Sequence, residues 1–165
     1  MSERAAALAE RFERANDEVI AAVAACTEEM WWSACPDDGR IVAVVARHIA
    51  SGYRGIAAWL SAAEAGGPLP APFTDSFAQP GRGQAICNCA IAETVALLRG
   101  NGAAVASLLR RWSDEQLDRP MTNGASGRAS RAEHLIGCIL FAHVGENLAA
   151  LRRALHAESA WAVAA

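Results

Sequence analysis

The sequence predicts an all-α fold, a four-helix bundle. Apolar residues recur at steps of three and four over four long stretches. Strand-like alternation never persists beyond a few residues, and segments rich in proline and glycine separate the stretches. Four helices of this length in 165 residues make one bundle domain spanning 1–165.

The first pattern covers about residues 3–30, with Leu8, Phe12, Ala15, Val19, Ala22, Cys26 and Met30 on one face. "WWSACPDDG" ends it, with Pro36 and Gly39 as breakers. The second helix runs from about Ile41 to Ala65 and places Ile41, Val45, His48, Gly52, Ile56 and Trp59 on one stripe. Residues 66–82 form a loop with four of the six prolines. A loop that long is often a crossover or functional, and a crossover at the bundle end would allow an up-up-down-down order. The third helix is expected over about Gly83–Trp112, weakened in its middle by Gly100 and Gly102. Ser113 with Gln116 forms a capping box that opens a short turn, and Ser130 with Glu133 forms another that opens the fourth helix. The inner stripe of that last helix is Ile136, Leu140, His143, Asn147, Ala150 and Ala154.

Composition narrows the function classes. The net charge of -3 argues against a nucleic-acid partner, which would favour a basic patch. The N-terminus is charged from its third residue and has no secretory pattern. No apolar run approaches the ~18 residues of a membrane span, so no membrane partner is expected. The five cysteines are Cys26, Cys35, Cys87, Cys89 and Cys138. An odd, irregular set without a signal sequence points to reduced thiols and a cytoplasmic location. Cys87 and Cys89 lack the second pair that a zinc knuckle needs.

Three polar residues sit where a bundle buries its side chains: His48 on the second helix, and His143 and Asn147 on the fourth. An imidazole in a core costs about 1–3 kcal/mol without a partner. Residues four apart on a helix point the same way, so His143 and Asn147 can face a point supplied by His48. Two ligands one turn apart plus a third from another helix leave positions open for water and substrate, as in metalloenzymes. The plainer reading is a hydrogen-bonded core pair. Glu146 points about 100° away from Asn147 and is a poorer candidate. His134 falls on another face, His156 in the terminal turns, and Tyr53 and the tryptophans at 31, 32, 59 and 112 are expected to pack the bundle and its ends.

"DDGRIVAVVARHIASGYRGIAAWL", residues 37–60, resembles the DinB superfamily, where an Asp-Gly motif leads to a histidine on the second helix. "LLRRWSDEQLDRP", residues 108–120, resembles the end of that family's third helix, and "FAHVGENLAALRRAL", residues 141–155, its last-helix motif H-x-x-x-H. The ordered set covers most of the chain. The resemblance implies an up-up-down-down four-helix bundle, usually dimeric, and a divalent metal, zinc or nickel, held by three residues. Relatives include S-transferases using mycothiol or bacillithiol and a mycothiol-dependent maleylpyruvate isomerase. The three ligands fall on His48, His143 and Asn147, the last where the family mostly has histidine. Arg40 stands where members often carry tryptophan. An amide oxygen is a hard, weak donor that suits zinc poorly.

Two functions follow. In the first, a metal-dependent transferase or hydrolase acts on a small molecule, with a low-molecular-weight thiol as cosubstrate because no cysteine lies beside the histidines. In the second, a degenerate bundle serves as a stress-associated binding or scaffold protein.

Overall fold

The computed structural model describes residues 2–36, 39–65, 90–122 and 129–164, with side chains as far as His156. The described chain is a four-helix bundle with two short helices and a small ribbon: α1 (Glu3–Ala24), α2 (Glu28–Trp32), α3 (Val42–Glu64), α4 (Ile91–Arg110), α5 (Asp114–Asp118), β1 (Pro120–Thr122), β2 (Ala129–Arg131) and α6 (Ala132–Ala164). The expected loop at 66–82 and the start of the third helix at 83–89 lie outside the described residues.

Each local start has a visible cause. Ser2 caps α1 by accepting from the Ala5 N–H. The first pattern, expected to run to residue 30, stops at Ala24 because Thr27 begins a new helix by accepting from the Met30 N–H. Glu28 and Glu29 then sit in the first turn of α2, where negative charge suits the helix dipole. Around Gly39 the Cys35 N–H donates to the Arg40 carbonyl at 2.7 Å and the Gly39 N–H to the Cys35 carbonyl at 2.9 Å, which turns the chain back on itself. Gly39 adopts φ 70°, a conformation that side chains with a Cβ resist. This turn, with the Ala34–Ile41 bridge, sets the position from which Arg40 enters the bundle.

The capping box of Ser113 and Gln116 is present. The second one is not: Ser130 lies in β2 opposite Met121, and α6 starts at Ala132, whose N–H donates to the Arg119 carbonyl at 2.9 Å. Glu133 instead accepts from Arg4, which also grips Asp118. The ribbon corrects the expectation of no strands. Three residues on each side are too few to show alternation.

Helices α1 and α4 are antiparallel, since Glu13 pairs with Arg110 and Asn16 donates to the Leu98 carbonyl. Helices α3 and α6 are also antiparallel, with Arg40 against Asn147 and Gly52 against His143. Helices α1 and α6 run parallel, through Arg4–Glu133, Arg11–Phe141 and Glu18–Arg152. So do α3 and α4, through Ala50–Asn101 and Glu64–Arg111. The order is therefore up-down-down-up, and not up-up-down-down as the resemblance implies. Chain length explains the difference. Residues 66–89 can span ~80 Å when extended, while the 23 residues of α3 rise only ~35 Å.

Around the bundle, α4 packs on α1 and α3, and α6 closes the other side against the same two helices. Phe12 meets Tyr53 edge-to-face at 5.1 Å in the centre, and both are fully buried. Burial pushes the Tyr53 hydroxyl pKa up. Trp31, Trp59 and Trp112 pack as expected, but Trp32 is 41% exposed and donates to Glu28. Among the described residues one segment, Ala132–His156, is long and apolar enough by length and composition to cross a membrane, against the sequence expectation. Its stripe of Ile136, Leu140, Val144, Leu148 and Leu151 is buried within the bundle.

Candidate metal centre

The seam between α3 and α6 brings His48 and His143 together, with Asn147 one turn further along α6. His48 lies in the second turn of α3 and His143 near the middle of the described part of α6. Their rings meet with centroids 4.9 Å apart and planes tilted by 57°. Both residues are half-buried, while Nδ1 of His48 and Nε2 of His143 are shielded from solvent. Gly52, one turn after His48, makes the approach possible. A Cβ there would stand 2.6 Å from Nε2 of His143, closer than real contacts allow.

Asn147 is buried, at 8% exposure. Its Nδ2 donates to the His143 carbonyl at 2.7 Å, which fixes which end of the amide is oxygen. Its Oδ1 accepts from a guanidinium nitrogen of Arg40 at 3.4 Å. That length is at the outer edge of hydrogen bonding, so the contact is weak. The turn at Gly39 thus delivers a cation to the third position of the site. Sequence alone placed Arg40 as a departure from the resemblance; its contact with Asn147 depends on a fold-back that no local pattern reveals.

The other candidates fall away. Glu146 and His156 are exposed. His134 is exposed and lies 3.4 Å from the Cys138 thiol on the next turn. Tyr53 belongs to the core beside Phe12. Burial pushes the Cys26 thiol up to about 11, Cys35 is buried and Cys138 exposed. Cys87 and Cys89 lie outside the described residues.

The profile of the DinB superfamily matches residues 11–151, which is most of the chain. The chain belongs to the DinB superfamily. No curated protein matches its sequence. Among solved structures it is similar to YfiT from Bacillus subtilis, with a TM-score of 0.72 and 16% identity over 96% of this chain and 90% of that one. YfiT is described as "a probable metal-dependent hydrolase with an unusual four-helix bundle topology". At that identity the likeness establishes the shared fold.

For a DinB-superfamily chain the test is whether these residues fit a divalent ion. Two imidazoles meet beside Gly52, whose missing side chain leaves room for the His143 ring, and imidazole suits zinc, nickel and related ions. Asn147 Oδ1 is a hard oxygen donor held by one weak bond. Among the described residues no further His, Cys, Asp or Glu completes a group of three. By donor chemistry the two imidazoles suit a divalent ion, while the third position offers an amide oxygen already in contact with a guanidinium, a weaker set than three imidazoles.

Proposed function

We propose that this DinB-superfamily protein is a metal-dependent enzyme acting on a small molecule at the α3–α6 seam, as a hydrolase or as a thiol S-transferase. The observation that carries the reading is the convergence of His48 and His143 over Gly52. The pair is half-buried on facing helices, and a glycine stands where any larger side chain would push His143 aside.

His48 and His143 would hold the ion, zinc or nickel, with Asn147 Oδ1 as third donor. When bound, a divalent ion supplies Lewis-acid chemistry, lowering the pKa of a thiol or a water towards neutrality. The chain's own residues do the rest. Asn147 fixes the α6 backbone at His143 through its 2.7 Å bond, which orients that imidazole. Arg40 places a positive charge beside the site, where it favours anionic groups on a substrate. No cysteine among the described residues lies beside the imidazoles, so a transferred thiol would come from a low-molecular-weight cosubstrate.

Arg40 also favours a second reading. A guanidinium at the third position opposes a second cation there, as expected of a non-catalytic bundle that binds small molecules or acts as a scaffold under stress. The test is a panel of activated esters and amides, and of thiol–electrophile pairs, incubated with protein loaded with zinc or nickel. The enzymatic reading predicts metal-dependent turnover of at least one class that His48→Ala abolishes. Turnover equal in wild type and His48→Ala, or none in any loaded preparation, favours the second reading.

A further inference from the structure

On the face of α6 opposite His143, a cleft of about 690 Å³ opens between the parallel helices α1 and α6. Val144 and Leu148, both buried, form its floor, with Phe141 half-buried beside them. Gly145 lies on the same face and is exposed, and a Cβ built on it meets nothing within 4 Å. The rim is cationic. Arg11 and Arg14 come from α1, and Arg152 and Arg153 from α6, with Arg14 facing Glu10 one turn before it at 4.0 Å. Glu18 is the one carboxylate among the lining residues, and it is bound to Arg152 at 2.7 Å. Four arginines against Glu10 and Glu18 leave the rim with an excess of positive charge, on a chain whose net charge is -3. The walls are tied together, because Arg11 stacks 3.9 Å over the Phe141 ring at one point and Arg152 bonds Glu18 at another.

We propose that this cleft is a second binding site, separate from the imidazole pair, for a small organic anion with an apolar body. Its volume lies within the ~300–1,000 Å³ of small-molecule sites. The apolar floor takes a hydrocarbon or aromatic group, and the arginines take a carboxylate or phosphate by charge and by forked hydrogen bonds. A second copy of the chain fits poorly. In a two-fold contact through this face, each arginine rim would meet its own equivalent and repel it.

Decanoate is a suitable probe, titrated by calorimetry into the intact protein beside decanol and inorganic phosphate. The expected result is one decanoate site per chain, with decanol and phosphate each at least about tenfold weaker. Added salt weakens the decanoate site, since its charges are exposed. Arg14→Glu with Arg153→Glu, and separately Gly145→Leu, each lower decanoate affinity by about tenfold or more, and circular dichroism checks that both variants stay helical. His48→Ala leaves decanoate affinity unchanged, so failure of the metal reading does not touch this result. The proposal is overturned if decanoate binding survives both cleft variants, if His48→Ala removes it, or if decanol binds as tightly. It is equally overturned if decanoate does not bind and the charge reversal instead splits a dimer, which would make the face an interface.

Discussion

Gly52 decides whether the imidazole pair can form. Gly52→Ala sets a methyl 2.6 Å from Nε2 of His143, so the ring or the helix must move. Overpacking of this kind costs about 1–3 kcal/mol. The expected outcome is a lower unfolding temperature together with weaker zinc uptake; an unchanged protein would mean that His143 turns away at no cost. Arg40 is the second decisive residue. Replacing it by methionine keeps its apolar stem, removes the charge beside Asn147 Oδ1 and should tighten zinc or nickel binding several-fold, read by calorimetry. Equal or weaker binding would show that Arg40 supports the site. The inward placement of His48, His143 and Asn147 was readable from sequence because each interrupts an apolar stripe at helical spacing. Arg40 was readable only as an oddity, since its reach depends on the turn at Gly39 and on α6 packing opposite, neither of which helical periodicity encodes.

Ion pairs tie α1 to its neighbours. Arg110 hydrogen-bonds both carboxylate oxygens of Glu13 and holds that carboxyl below its ordinary pKa. Arg4 does the same for Asp118, with Arg131 assisting. A depressed folded pKa stabilises the fold above the ordinary carboxylate range, ~4, and the contribution is lost as pH falls below it. Glu13→Gln should therefore lower the unfolding temperature at pH 7, with the gap to wild type closing under acid. A gap that persists at low pH would point to packing and not charge. The pair is half exposed, so the effect is small and shrinks with salt. The four long helices were evident from apolar periodicity, and the Ser113–Gln116 box from its spacing. The break at Ala24 was hidden because apolar spacing continues through Cys26 and Met30, and the ribbon because its strands are too short to show a period. Helix direction was misjudged because a long connection was taken to cross one end of the bundle when it has the reach to run its whole length.

At the scale of the molecule, we propose a homodimer, as the family resemblance implies, with Trp32, the one large apolar side chain exposed among the described residues, as its apolar contact. Light scattering at micromolar concentration should give twice the 17.3 kDa chain mass, and a monomer mass would contradict it. The central claim is that the α3–α6 seam holds a divalent ion, and it is tested most directly by calorimetric titration of untagged wild type, Asn147→His and His48→Ala with zinc and with nickel. The prediction is saturable uptake by wild type, tightened on the order of tenfold by Asn147→His because imidazole replaces a weak amide donor, and abolished by His48→Ala. No uptake by Asn147→His would contradict it, and would mean that the chain keeps the fold of its superfamily without the metal chemistry.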